Sequence, residues 1–460
     1  MATNKTIRTL RPADFEPLGD QSSAPLLVRP SRSYWQDAWG RLKANKRALV
    51  SLYIIIALMI FTFIGPLVWR VDPALQDIDQ ISIAPGADRR AIVVEPFEAW
   101  DGLSGAEGSG FRLVGEPTTQ SVRLKWDVMP AAEAYRLYRN IYPPQSLFAL
   151  GLPLLETNNN QQTAYEDRLD LSPKTYYYSI AALDELGQLT GDYDTLTADV
   201  TRVITVNEVR SRGLVENPDA LQPGDQVMLK WHPLGTDYLG RDMLARLMAG
   251  ARVSLFIGLL APLMFVTFGV LYGATAGFLS GRVDSVMMRF ADFVVALPFL
   301  LFMILFQVVF GIGPGESGII PMLIALVILS WPATARLVRG QILQIREEAY
   351  VSAARLLGAS HNYLILRHMI PNTLGVILVT LTFAVPTAIF TEAFLSFIGM
   401  GVAPPTASWG SMSNEGLKTM LTHPHELIFP ALMISITVLA FNLLGDGLRD
   451  ALDAKMRSSE

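Results

Sequence analysis

Six stretches of this chain run for the length of a bilayer's hydrocarbon core without one Asp, Glu, Lys or Arg. They are Ala48–Trp69, Val253–Leu279, Phe293–Gly315, Ser317–Ala335, Asn372–Thr391 and Leu427–Gly445. About twenty helical residues cross that core. In lipid the backbone must satisfy its own N–H and C=O groups, and uninterrupted apolar runs do so as helices. The pattern predicts an all-α polytopic membrane protein with six transmembrane helices. Only 17% of the 460 residues are charged, against about a quarter in soluble domains. The net charge of −5 comes with no basic cluster, which excludes a phosphate-tracking nucleic-acid partner. The absence of cysteine excludes structural disulfides and thiolate metal sites.

Basic residues near span ends mark the cytoplasmic side. Arg32, Arg41, Lys43, Lys46 and Arg47 precede the first run, so residues 1–46 are expected inside and 47–70 to cross. That first run is too long for a cleaved signal and is read as a retained span. Alternation then puts the Gly281–Arg289 loop inside, with Arg282 and Arg289, and the Gly311–Gly318 loop outside. Arg336–Pro371 falls inside with five arginines, Gly399–Glu426 outside with only Lys418, and the tail 449–460 inside.

Residues 72–230 form a long polar insertion on the outer side of this topology. SVRLKWD (Ser121–Asp127), YRLYR (Tyr135–Arg139) and YYYSIAAL (Tyr176–Leu183) alternate aromatic or branched residues with polar ones, a strand signal. Several strands so close together suggest a small β-sandwich. The stretch Glu116–Val206 resembles a fibronectin type III domain, with Leu171, Pro173, Thr175 and Tyr177 resembling its Leu-x-Pro-x-Thr-x-Tyr corner.

The inside loop, residues 340–371, is unusual for a connector. Glu347–Leu357 favours helix, with Ala349, Ala353 and Leu356/Leu357 on one face; Gly358 interrupts it, and a second helical stretch leads to Pro371. Small residues suit docking into a groove of another protein; an amphipathic helix on the membrane surface fits equally well.

This loop resembles the coupling-loop signature of ABC importer permeases: Glu-Ala-Ala, three residues, Gly, then a downstream proline. Ala353 and Ala354 fill the alanine positions, with Gly358 and Pro371 in register; Ser352 stands where the glutamate is common, and His368 and Ile370 depart from the usual ending. HPLGTDYLGRDMLARLMAGARVSLFIGLL (His232–Leu260) and FNLLGDGLRDALDAK (Phe441–Lys455) resemble the C-type permeases of dipeptide and oligopeptide importers, with Ala454 where proline is common. The resemblance implies a type I importer permease core over 231–448. It also implies an ATPase-coupling set of Glu348, Ala349, Ser352, Ala353, Ala354, Arg355, Gly358, Ala359 and Pro371. A second permease subunit, two P-loop ATPase subunits carrying ATP and Mg, and an extracytoplasmic peptide-binding protein would complete the complex. The setting implied is a bacterial or archaeal plasma membrane, with no cofactor on this chain.

Other features carry less. No G-x-x-x-x-G-K-[ST] loop is present, and GIGPGESG (Gly311–Gly318) lacks the lysine. His423 and His425 form H-P-H-E, not the H-E-x-x-H of zinc proteases. Glu392, toward the end of the fifth span, is a candidate pathway residue, Asp292 an interfacial one, and Pro298 and Pro332 candidate kinks. The same machinery could carry nickel chelates, glutathione or another small solute. An ion-coupled secondary transporter would favour matching broken helices and intramembrane charges, and a tethered adhesion protein would need only one or two spans.

Overall fold

The computed structural model describes residues 34–104, 107–129, 132–310, 318–402 and 404–452. The expected segment before residue 34, nearly all of the Gly311–Gly318 loop and the tail beyond 452 lie outside them. The chain divides into two units, Met1–Ser82 with Thr236–Glu460, and Ile83–Gly235.

The first unit is helical. An amphipathic helix α1 (Tyr34–Ala44) precedes α2 (Lys46–Phe63) and a short α3 (Gly65–Val68). Asn45 caps α2, its side chain accepting from the Arg47 and Ala48 amides, which ends one helix and starts the next.

The second unit is β-rich, with strands β1 (Arg90–Val94), β2 (Arg112–Val114), β3 (Val122–Lys125), β4 (Ala134–Asn140), β5 (Pro153–Glu156), β6 (Ala164–Asp167), β7 (Thr175–Leu183), β8 (Leu189–Asp199), β9 (Val203–Thr205) and β10 (Gln226–Met228), and a short α4 (Val206–Arg212). They make three sheets, ordered β10-β1-β9, β2-β3-β6 and β5-β4-β7-β8. β3 and β6, β4 and β7, and β7 and β8 pair antiparallel. The period-two pattern puts Val122, Leu124 and Trp126 in one core with Tyr135, Leu137, Tyr178 and Ile180, so the second and third sheets share buried side chains. The expected corner needs correcting. The Tyr176 hydroxyl, not that of Tyr177, accepts from the Ser172 amide at 3.0 Å. Alternation along β7 buries Tyr176 and Tyr178 and leaves Tyr177 half-buried, one residue out of step with the motif spacing.

The helical unit resumes with α5 (Met243–Leu279), α6 (Gly281–Ala296), α7 (Phe299–Val309), α8 (Ile319–Ile345), α9 (Ala349–Leu356), α10 (His361–Tyr363), α11 (Ile370–Phe397), α12 (Trp409–Lys418) and α13 (His425–Leu452); a π-helical turn, Leu364–Met369, joins α10 to α11. Among the described residues, five helical segments are long and apolar enough to span: Lys46–Val68, Met243–Leu279, Ile319–Ile345, His361–Phe397 and His425–Leu452.

The expected third span, Phe293–Gly315, is not one straight helix. α6 and α7 meet at an 81° bend, where Leu297 is extended and Pro298 caps α7; proline has no amide to continue the ladder. A sixth crossing exists only if this bent pair counts as one. The expected Gly281–Arg289 loop is helical instead, being the start of α6. The core lies between α5 and α8, where Gly269 and Gly273 abut the α8 backbone so closely that a Cβ would collide with it. Ile257, Val266, Val270, Trp331 and Val338 fill the rest.

Candidate functional site

The segment between α8 and α11 is built around a short helix with two different faces. Glu348 holds the N-cap position of α9 without a side-chain cap. Val351 is fully buried, and Ala354 and Ala359 pack on the bundle core. Glu348, Ala349, Ser352, Ala353 and Arg355 are exposed, and Arg355 lies over the Phe278 ring at the end of α5, 5.4 Å from its centre. Leu356 and Leu357 are 90% and 89% exposed.

Gly358 ends the helix at φ +87°. Its amide donates to the Arg355 carbonyl at 3.0 Å and that of Ala359 to Ala354 at 3.1 Å, the Schellman pattern, whose left-handed position favours glycine. From His361 the chain is helical without a break into α11, so the fifth span begins well before the charge-free run at Asn372. Pro371 follows the π turn at the start of α11 and is exposed. Asn372 Nδ2 donates to the Tyr350 hydroxyl at 3.0 Å and ties α9 to the start of α11. The result is a short helix held to the bundle on one side, with two leucines exposed at its end.

A second polar region lies where α5, α12 and α13 begin. Asp237 accepts from the amides of Leu239 and Arg241, both at 2.9 Å, and from Arg241 Nε at 2.7 Å. Arg246 bonds the same carboxylate. Both arginines reach Glu415 Oε2, Arg241 at 3.0 Å and Arg246 at 2.7 Å. All four side chains are buried. Asp242 caps α5 through the Ala245 amide at 2.6 Å and accepts from Trp69 Nε1 at 3.1 Å. Gly240, at φ +72°, lies so close to the Asp77 backbone that a Cβ would overlap it. These contacts explain the residues of GTDYLGRD: a tight turn, a cap and one guanidinium for buried acids, with Arg246 supplying a second from the first turns of α5. The network reaches beyond that motif to Arg246 and to Glu415 of α12. Its sequence signal is Arg241 and Arg246, set at the entry to a long apolar helix whose one further charge is Arg252.

The expected outside loop Gly399–Glu426 contains α12, which is largely buried. Trp409 is fully buried and donates from Nε1 to the Leu247 carbonyl at 3.1 Å. Glu392 also has no exposed surface; Ser254 donates to its Oε2 at 2.8 Å and Ser396 to its Oε1 at 2.9 Å. Its carboxylate joins α5 to α11.

The remaining candidates are structural. His425 Nε2 sits 3.0 Å from the Thr236 carbonyl, and His423 Nδ1 3.0 Å from the Thr422 hydroxyl. Among the described residues no group of three His, Asp or Glu could hold a metal ion. Asp292 pairs with Arg336 at 2.6 Å, and Asp284 takes Arg339 in two bonds of 2.5 and 2.6 Å, so two ion pairs fasten α6 to α8.

A bundle of spanning helices with a short, partly exposed helix between two of them defines a polytopic membrane protein. Residues 269–458 match the family model described as binding-protein-dependent transport system inner membrane component, and residues 33–85 match that of the N-terminal transmembrane domain of oligopeptide transport permease C. The chain is 48% identical over 233 residues to the oligopeptide transport system permease protein OppC of Bacillus subtilis, covering 51% of this chain and 75% of the relative. It is 49% identical over 227 residues to the dipeptide permease DppC of the same organism (49% of this chain, 69% of the relative). It is 45% identical over 226 residues to the glutathione permease GsiD of Escherichia coli (49% and 73%). The chain belongs to the family of binding-protein-dependent transport inner membrane components, and the β-rich unit falls almost wholly between its two matched regions.

Proposed function

We propose that this chain is one permease subunit of an ATP-driven importer and forms part of the path for di- or oligopeptides delivered by an extracytoplasmic binding protein. The observation that carries this is the 48% identity to a peptide permease over 75% of that relative's length. The 45% identity to a glutathione permease supports a second reading, the same machine carrying glutathione or another small solute such as a nickel chelate.

In this reading α9 is the coupling helix. Val351, Ala354 and Ala359 hold it to the bundle, while Leu356 and Leu357 enter a groove on a P-loop ATPase subunit. Two such subunits bind ATP and Mg, and a second permease subunit completes the path. The termini lie in the cytoplasm of a bacterial or archaeal cell, and the insertion faces outward. The insertion is a fibronectin type III-like sandwich. Its support is the strand order of two sheets sharing one core and the corner bond of Tyr176. It serves as a docking surface for the binding protein or an envelope component, since it precedes the spans on the side where peptide arrives. Glu392 acts by positioning α5 against α11 rather than by touching substrate.

The test is purification in mild detergent with mass spectrometry of what accompanies the chain. A second permease and a P-loop ATPase, with hydrolysis stimulated by a peptide-loaded binding protein, are expected. A chain that purifies alone and moves solute only with an ion gradient would overturn the reading.

A further inference from the structure

We propose that a phospholipid occupies the cleft between α2 and α5, with an acyl chain between the helices and its phosphate on Arg252. The cleft has a volume of about 570 Å³ and is walled by Met59, Phe63, Phe256, Leu259 and Leu263, with Ile319 from α8. Its lining is almost wholly apolar, as a hydrocarbon chain requires.

Among the described residues, Arg252 is the only charged one lining the cleft. It is the last charge before the charge-free run Val253–Leu279, which puts it at the membrane boundary. Its Nε donates to the Thr62 carbonyl at 3.3 Å, one residue before the end of α2. Arg252 is exposed, and among the described residues no carboxylate pairs with it. A guanidinium does not give up its proton, and an arginine at this depth requires a counter-charge or water. Its planar fork matches a phosphodiester, and its long stem lets the charge reach headgroup level while its methylenes stay in hydrocarbon.

The walls favour lipid over a partner's helix. Helix–helix interfaces in membranes use small residues that let backbones approach; here the walls are Met, Phe, Leu and Ile, which suit a flexible hydrocarbon chain. A helix seated here supplies Arg252 with a counter-charge only if it carries an acid, whereas every phospholipid brings a phosphate.

The experiment is native mass spectrometry of the full-length chain titrated with phosphatidylglycerol, with diacylglycerol of the same acyl chains as the phosphate-free probe. One tightly held phosphatidylglycerol is expected, with diacylglycerol held about five-fold more weakly. Arg252→Gln should weaken binding about five-fold, the effect of one basic residue at a lipid surface, and Arg252→Lys should retain most of it. Leu259→Trp fills the cleft and should abolish the adduct, with an unchanged thermal midpoint showing that the fold persists. Equal lipid binding by Arg252→Gln, Leu259→Trp and the unaltered chain would overturn the proposal. So would a photo-crosslinker at Phe256 that captures another protein subunit of the assembled complex instead of lipid.

Discussion

Arg246 and Glu415 stand 169 positions apart in sequence and meet at 2.7 Å, with both side chains buried. The pair joins α5 to α12, and Arg241 and Asp237 complete the group. A buried ion pair is weak evidence of net stabilisation, but removing one partner strands the other's charge. Glu415→Leu should therefore lower unfolding free energy by about 3 kcal/mol, measured by SDS titration of the purified chain. Adding Arg246→Met to it should recover part of that loss, because one stranded guanidinium is removed. A double variant as unstable as the sum of its singles would show the two residues to be uncoupled.

The outer face of α9 gives a second prediction. Leu356 and Leu357 stabilise nothing inside the bundle, being about nine-tenths exposed. Leu356→Asp with Leu357→Asp should leave the thermal midpoint unchanged and reduce co-purified ATPase subunit at least ten-fold, about 1.4 kcal/mol. Undiminished co-purification would remove α9 from the docking surface.

Gly358 separates backbone strain from crowding. A Cβ there would meet nothing within 4 Å, yet φ is +87°. Gly358→Ala should cost about 1–2 kcal/mol of local stability through the left-handed backbone alone. Hydrogen exchange should speed up at the Ala359 amide, which bonds Ala354, and peptide-stimulated hydrolysis should lose its coupling to uptake. Unchanged exchange and normal uptake would mean that the turn relaxes freely.

How much of this was legible in the sequence depended on how local the cause was. Charge-free runs located the spans because lipid constrains every residue of a crossing helix. They gave the third span as one run, since apolar residues alone cannot tell a straight helix from α6 and α7; Pro298, a candidate kink, was the local sign of the bend. They also started the fifth span too late, because Arg367 and His368 interrupt the run while the helix passes straight through them. Strand alternation located β3, β4 and β7, but the motif spacing pointed to Tyr177 where the pleat buries Tyr176. The network of Asp237, Arg241, Arg246 and Glu415 was invisible because one of its two acids, Glu415, comes from α12, in a stretch read as loop.

Glu392 supplies a prediction that separates structure from pathway. Its two oxygens accept from Ser254 and Ser396 in a site with no exposed surface. Glu392→Ala leaves both hydroxyls without this acceptor and opens a cavity, so a loss of about 2–4 kcal/mol is expected by SDS titration. Glu392→Gln keeps the shape and one acceptor, should cost about 1 kcal/mol, and should transport peptide within about two-fold of the unaltered chain, under 0.5 kcal/mol. A glutamine variant that folds and assembles normally yet fails to transport would put the carboxylate on the substrate path.

The β-rich unit offers the sharpest comparison, because two adjacent tyrosines make opposite predictions. Tyr176 is buried and its hydroxyl anchors the Ser172 amide at 3.0 Å, just ahead of β7; Tyr177 is half-buried on the other face. Tyr176→Phe removes only the acceptor and should cost about 1 kcal/mol. That is about a five-fold rise in hydrogen exchange at Ser172 if the amide exchanges by local opening. Tyr177→Phe should leave that amide unchanged. The comparison uses the full chain in detergent, so both variants share every other contact. Faster exchange at Ser172 in the Tyr177 variant alone would return the corner to the residue that the motif spacing picked, and would mean that β7 presents its other face to the core.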